Sequence, residues 1–432
     1  MSLTRRLQTL KPYQPVGQVA RVTAQEIEVR GLRVRVGESM AIIGDTGSRY
    51  GEVVALAPDG ATIMLFGDAG GIGKGDIVRH AEGALKTHMS KSLIGRVVDG
   101  LGRPIDGGPP IVGEAVSVEM AAPSPLERQR IDTALPVGVR TIDTICTTGK
   151  GQRIGIFGGS GVGKSTLLGM MAKGTAADIT VLALIGERGR EVREFIEDEL
   201  GPEGMSRAVV VVATSDQPAL MRMRAALLAT RISEWFADRG NDVLLMMDSL
   251  TRLAMAQREI GLAAGEPPTS RGYTPSVFSV MARLLERAGP RRRGTITGFY
   301  SVLVEGDDMT DPIADAARSI LDGHIVLDRR LAVAGRYPAI DPLASLSRLA
   351  SKLISPEQQE LVTAVQSSIA AADEVRELVE VGAYLPGTNP MADRGLAAMP
   401  AIIEFLRQQS SDRVSFDASW RAFEQLRPLV VT

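Results

Sequence analysis

The sequence predicts an α/β protein in three parts: a small N-terminal β-barrel, a mostly parallel sheet built around a glycine-rich loop, and a C-terminal helical unit. Three observations predict it. Short apolar runs punctuated by glycines fill residues 16–90, the pattern of strands joined by tight turns. From residue 151 apolar runs alternate with helix-patterned segments, which is how a doubly wound parallel sheet reads. After about residue 350 the strand-like runs stop and helix patterns with start signals remain.

Taken in order, residues 1–12 (MSLTRRLQTLKP) put Leu3, Leu7 and Leu10 on one helical face with Arg5 and Arg6 off it, and Pro12 ends the run. Residues 1–15 read as a partner-binding segment, with a frayed terminus as the alternative. Barrel strands are expected at Val16–Val22, Glu26–Val29, Leu32–Val36, Met40–Ile43, Tyr50–Leu56 and Thr62–Leu65. No dense aromatic or basic surface accompanies them, so the barrel reads as structural and not as a nucleic-acid binder. Residues 91–150 read as a connector of extended, turn-rich crossings, in which Pro123 and Pro125 disfavour helix.

Gly151–Thr166 reads GQRIGIFGGSGVGKST. Arg153–Phe157 suits a buried strand, and Leu167, Leu168, Met170 and Met171 suit a helix. Between them, Gly158, Gly159, Ser160, Gly161, Val162, Gly163, Lys164 and Ser165 fit G-x-x-x-x-G-K-[ST] without a mismatch. Phosphate oxygens need several backbone N–H donors aimed at one point. Glycines let the chain curl that closely, and the helix start behind them, from Thr166 on, favours an anion. Lys164 can reach the β- and γ-phosphates, and Ser165 can place its hydroxyl on Mg²⁺.

Further strands are expected at Ile179–Ile185, Ala208–Ala213, Val243–Met247 and Thr295–Val304. Helix is expected over Glu191–Leu200, from Asp216-Pro218 to about Trp235, and in the tail at Leu396–Gln408 and Ser419–Leu426, the last with Asp417 as a possible cap. Ser355-Pro356-Glu357-Gln358 has the form of a capping box. Asp248, at the tip of VLLMMD, is the expected Mg²⁺ partner of the phosphate loop, or else a helix N-cap. Glu187 in IGERGRE follows a strand, so it sits on the ligand side of such a sheet, where a carboxylate can orient and deprotonate a water. Arg188 beside it can steady a γ-phosphate. A surface salt bridge is the alternative for this pair.

Composition narrows the class. Charged residues are 23% and apolar residues 44% of 432, the net charge is −2 and the pI about 6.1. That balance argues against a nucleic-acid coat. One cysteine, Cys146, precludes an internal disulfide and points to a reducing compartment, and Met1–Leu10 lacks the apolar core of a secretory signal. With only three histidines beside it, a zinc cluster of ordinary spacing is not expected. Cys146 is expected in the core, His324 in packing, and Arg291–Arg293 at a solvated hairpin tip.

With these residues in hand, the chain resembles the RecA-like rotary and secretion ATPases. Beside the phosphate loop, PAIDPLASLS at Pro338–Ser347 is similar to that group's signature, and GRVVDGLGRPID to its linker signature. Asp248–Phe278 and Val304–Arg329 resemble the export ATPases of flagella and type III secretion more than the F-type subunits, with Thr274 standing where proline is expected. The resemblance covers nearly the whole chain. It implies a RecA-like ATPase domain with its lead-in connector over 91–350 and a C-terminal helical domain over 351–432. It also implies ATP and Mg²⁺ as ligands and a homohexamer whose sites lie between subunits.

Carried over by motif, Lys164, Glu187, Arg188 and Arg348 are catalytic, and Ser165 and Asp248 hold magnesium. Tyr337, directly before PAID, stacks on adenine. Arg348, directly after SLS, is an arginine finger reaching the neighbouring subunit. A core tyrosine and a structural salt bridge are the plainer readings of these last two. The implied setting is cytoplasmic and peripheral at the inner-membrane export apparatus. The implied partners are a regulatory or stator protein at the N-terminus, export-gate membrane proteins and export chaperone–substrate complexes, without nucleic acid. A virulence-secretion ATPase, a rotary subunit needing a second chain, a ring-shaped RNA translocase and a non-catalytic nucleotide scaffold are the alternatives.

Overall fold

A computed structural model describes residues 16–431 apart from residues 24, 82–85, 305 and 307. Met1–Leu10 therefore lies outside the described residues. Six antiparallel strands close a barrel in the order β1-β2-β5-β4-β3-β6: β1 (Gly17–Val22), β2 (Glu26–Arg30), β3 (Ser39–Gly44), β4 (Gly47–Ala57), β5 (Gly60–Leu65) and β6 (Ile77–His80). Alternate residues point inward, and Val19, Ile27, Val29, Met40, Ile42, Val53, Ile63 and Val78 fill the barrel. Two expectations change here. Leu32–Val36 is not a strand. The unforeseen β6 pairs with both β1 and β3, so the closed barrel offers no edge for that stretch to join. Leu32 and Val34 pack against the barrel core from an irregular link.

The barrel docks on the core through Met64 and Phe66, which pack with Ala219, Leu220 and Ala256. The connector is more than a crossing. A short pair, β7 (Thr87–Met89) and β9 (Glu114–Val116), braces it, and β8 (Val97–Asp99) is an edge strand of the central sheet. That sheet runs β17-β16-β10-β15-β13-β11-β12-β8. Its strands are β10 (Arg153–Gly158), β11 (Ile179–Glu187), β12 (Ala208–Thr214), β13 (Asp242–Asp248), β15 (Thr295–Leu303), β16 (Gly323–Leu327) and β17 (Leu346–Ser347), with β14 (Gly289–Pro290) paired to β15. All pairs from β16 to β8 are parallel, while β17 and β14 are antiparallel. Successive side chains leave opposite faces. Val181, Ala183 and Ile185 of β11 join the core under Ala219–Ala237, Leu250–Ala263 and Pro275–Leu285, while Leu182 and Leu184 join the core under Lys164–Gly174.

Local chemistry sets the remaining elements. Ala219–Ala237 starts behind Pro218, so Asp216 is not its cap. The stretch after β11 is helical, but it passes from α-helix (Gly189–Glu194) through a π turn (Phe195–Leu200) to α-helix again (Gly201–Met205). Arg291 corrects the hairpin-tip reading. It is buried, with Nε 2.6 Å from Asp238 Oδ1 and Nη1 3.9 Å from Glu234 Oε1, while Arg292 and Arg293 are exposed. In the tail the capping box at Ser355 is fully formed: its hydroxyl accepts from Gln358 N and its own N–H donates to the Gln358 side chain. Asn389 caps Pro390–Leu406, which starts six residues before the expected Leu396. Ser415, not Asp417, caps Phe416–Glu424. Phe405, Trp420 and Phe423 join Leu361, Val365 and Ile369 in one apolar cluster, where Cys146 is also buried. His324 meets the Phe157 ring edge-on at 6.1 Å.

Candidate active site

The parallel order of the sheet brings the ends of β10, β13 and β11 to one side, which is where such sheets bind ligands. After β10 the loop turns through Gly161 and Gly163 at φ +79° and +86° and enters the helix Lys164–Gly174. A side chain is rarely accommodated at those angles. Lys164 Nζ lies 2.7 Å from Asp248 Oδ1 at the end of β13. The same oxygen accepts from Ser301 Oγ at 2.5 Å. Ser301 belongs to β15, the strand between the loop strand and β13. Asp248 is not the N-cap of Leu250–Ala263. That role falls to Ser249, whose hydroxyl accepts from Arg252 N.

Glu187 ends β11 across a β-bulge. The pairing with β12 slips between Ile185 and Glu187, and Gly186 takes φ +71°. Bulges of this kind re-aim a side chain beside a site. Burial pushes the Glu187 carboxyl up to about 7, the negative charge of Asp248 adds to the rise, and Lys164 and Arg252 oppose it. A carboxyl that titrates near neutrality is suited to proton transfer.

These groups line one cleft of about 460 Å³, with Gly159–Gly161, Gly163, Ser165 and Thr166 forming its loop side and Glu187, Arg188, Arg252 and Asp248 its other side. Arg188 hangs at the rim, exposed, 3.6 Å from Glu191. A second cleft of about 790 Å³ shares Gly163 and Thr166 with the first and contains Tyr337. Tyr337 is 46% exposed, and a Cβ on Gly163 would stand 3.2 Å from its ring. The two clefts thus meet at the loop, one polar and rich in donors, the other carrying an aromatic face. Gly158 and Val162 form the loop's inner side: Val162 is buried, and a Cβ on Gly158 would stand 3.1 Å from Val162 Cγ2. Arg348 is not brought to either cleft of its own chain. It is exposed after β17, at the far edge of the sheet, its N–H on Asp322 O and its guanidinium 3.3 Å from Arg318 O.

The donor set suits a hard cation shared with phosphate. Ser165 and Asp248 offer oxygen, and among the described residues no three acidic or imidazole groups cluster to hold a metal without substrate oxygens. Mg²⁺ binds in that incomplete fashion, through one or two protein oxygens plus phosphates.

Residues 138–347 match the family model for the ATP synthase alpha/beta family, nucleotide-binding domain, and residues 354–425 match that for the T3SS EscN ATPase C-terminal domain. A flagellum-specific ATP synthase of Bacillus subtilis (strain 168) is 48% identical over 96% of this chain and 95% of its own length. The chain belongs to the ATP synthase alpha/beta family. It is an ATPase of the branch that holds the flagellar and type III secretion enzymes. A type 3 secretion system ATPase of Xanthomonas euvesicatoria is 46% identical over 96% of this chain and 95% of the relative. The assembled ATPase EscN from the enteropathogenic E. coli type III secretion system superposes with a TM-score of 0.91 at 43% identity, covering 96% of this chain and all of that one.

Three residues of the site escaped the reading of the sequence. Ser301 lies mid-strand, with no motif to mark it. Gly186 is marked only by a glycine just before the acidic residue. Arg252 stands one turn after the Ser249 cap in DSLTR, where an arginine facing the strand ends was open to notice.

Proposed function

We propose that the chain is a Mg²⁺-dependent ATPase that works as a homohexameric ring and energises protein export through the flagellar type III secretion apparatus. One observation carries the shared-site part. Lys164, Glu187 and Asp248 converge on one cleft, while Arg348 is exposed after β17 and lies outside that cleft, so in this reading it serves a neighbouring copy. In this reading the loop amides and Lys164 bind the β- and γ-phosphates, and Glu187 takes a proton from the attacking water. Arg188 steadies the γ-phosphate from the rim, and Tyr337 stacks on adenine. Ser165 and Asp248 would hold Mg²⁺, which supplies charge neutralisation at the phosphates. Arg348 of the next copy would contribute ~10³–10⁵ in rate, the range for such arginines.

The functional units follow the fold: a barrel over 16–90, an ATPase unit over 91–350 including the connector that lends β8, and a helical unit over 351–432. For partners, a solved relative is EscN in complex with its central stalk EscO. By the same reading, this chain meets a stator protein through residues 1–15, and export-gate proteins and chaperone–substrate complexes elsewhere. No helix among the described residues is long and apolar enough to cross a membrane, which fits a cytoplasmic ring held peripherally at the export gate. Relatives named for flagella in Bacillus subtilis and Treponema pallidum are 48% and 46% identical, against 46% for the relative named a type 3 secretion system ATPase. Identity alone thus leaves the injectisome as the second reading, and restoration of motility to a strain lacking its flagellar ATPase separates the two.

Turnover per protomer, measured with Mg²⁺ across a wide range of protein concentration, tests the shared site. Specific activity is expected to climb as the chain self-associates, and Arg348→Ala to abolish the climb. Turnover independent of concentration that survives the substitution contradicts it.

A further inference from the structure

A buried amide lines the cleft beside Tyr337. Gln408 follows the helix Pro390–Leu406, and its side chain is spent entirely within the protein. Its Oε1 accepts from Arg140 N at 2.8 Å and its Nε2 donates to Gly138 O at 2.8 Å. Its backbone N–H donates to Tyr337 O at 2.9 Å. The residue is 4% exposed. Next to it, Arg140 Nη2 donates to Arg407 O at 2.5 Å, so the same junction is tied twice.

The segment that receives the amide is itself rigid. The Asp143 carboxylate accepts from Val137 N at 2.8 Å and Gly138 N at 3.0 Å. Gly138 packs so closely on the end of Lys164–Gly174 that a Cβ there would stand 2.7 Å from Gly174 Cα. Gln408 therefore bridges three parts: the end of the helix Pro390–Leu406, the segment behind the phosphate-loop helix, and the peptide of Tyr337. A buried group with both acceptor and donor paired holds position well, and either half left unpaired is costly.

We infer that Gln408 is a positioning residue, whose side-chain amide fixes residue 408 against Gly138 and Arg140 so that its backbone N–H holds Tyr337 facing the nucleotide base. The inference rests on Tyr337 being the base-stacking residue. It gives Gln408 a role in the affinity for the base and none in the chemistry at the phosphates.

The test uses the full chain at one protein concentration. Gln408→Met keeps the length of the side chain and removes its amide. Gln408→Asn keeps an amide too short by one methylene to hold both partners. Each is compared with Tyr337→Ala for KM and kcat with ATP and for inhibition by Mg-tripolyphosphate, which has no base. Gln408→Met is expected to raise the KM for ATP about tenfold, the size of one or two lost buried hydrogen bonds, with kcat within about twofold. The inhibition constant of tripolyphosphate stays where it is. Gln408→Asn gives a smaller rise in the same direction and carries the test if the methionine variant does not fold. The double substitution with Tyr337→Ala raises KM no further than Tyr337→Ala alone, because the two act through one seat.

Two results overturn the inference while leaving the base seat intact. In one, Tyr337→Ala raises KM but Gln408→Met does not. In the other, Gln408→Met weakens ATP and tripolyphosphate together, the mark of a general structural role. If Tyr337→Ala itself leaves KM unchanged, the base-seat reading falls first and the inference with it.

Discussion

Below pH 7 the Glu187 carboxyl holds its proton and cannot take one from water, because burial and the neighbouring Asp248 push it up to about 7. The rate of ATP hydrolysis at low substrate, kcat/KM, is therefore expected to rise with pH through about 7. Glu187→Gln is expected to lower turnover by ~10²–10⁴ and to remove that limb from what remains. Stability moves the other way. A carboxyl raised from 4.5 to about 7 on folding stabilises the protein fully below 4.5, and that contribution is lost as pH rises through 7. Glu52 and Asp143, raised by burial to about 7, add to the same fall. The difference in thermal unfolding between wild type and Glu187→Gln across this window isolates the Glu187 share, and equal slopes for the two proteins would contradict it. Lys164 and Ser165 were legible because their role is fixed by spacing within one short motif. Ser301 was not, because it reaches the site from mid-strand on β15, whose neighbours only the sheet order reveals.

At the scale of the element, the bulge at Gly186 decides where Glu187 points. A Cβ there would stand 2.9 Å from Arg252 Cβ, at a backbone angle of φ +71° that suits glycine. Gly186→Ala is expected to cost ~1–2 kcal/mol from the left-handed backbone. By displacing the carboxylate, it is also expected to lower kcat on the order of 10²-fold, as misplacements of about 1 Å do. Chemical denaturation and steady-state rates measure the two effects separately, and a normal kcat in a destabilised protein would show that the bulge serves the fold alone. Elements with a strong local signal were readable: the loop strand and its helix, the parallel core strands, the capping box at Ser355. Those set by tertiary demand were not. Leu32–Val36 has strand-like residues but no free edge to pair with, and β8 lies in a connector whose composition suggests only turns. Ser415 outcompetes Asp417 as a cap because its hydroxyl is placed to accept from Ala418 N.

For the whole molecule, the order of parts was plain in the sequence, since glycine-punctuated strands, an alternating core and a helical tail differ in pattern. The apposition of parts was not. The barrel seats on the core through Met64 and Phe66, with Val54 packed beside them, and the cleft beside Tyr337 is walled by residues separated by more than 200 positions, such as Arg140 and Arg407. Arg348 lines neither cleft of its own chain, and this makes assembly the central claim. It is tested most directly by mixing two inactive proteins, Glu187→Gln and Arg348→Ala, at concentrations where the wild type is fully active. In mixed rings, a site with an intact Glu187 can face an intact Arg348 from the other protein, and random pairing returns roughly a quarter of wild-type turnover. Recovery on mixing is the predicted result. Two proteins that stay as inactive together as apart would contradict a site shared between copies.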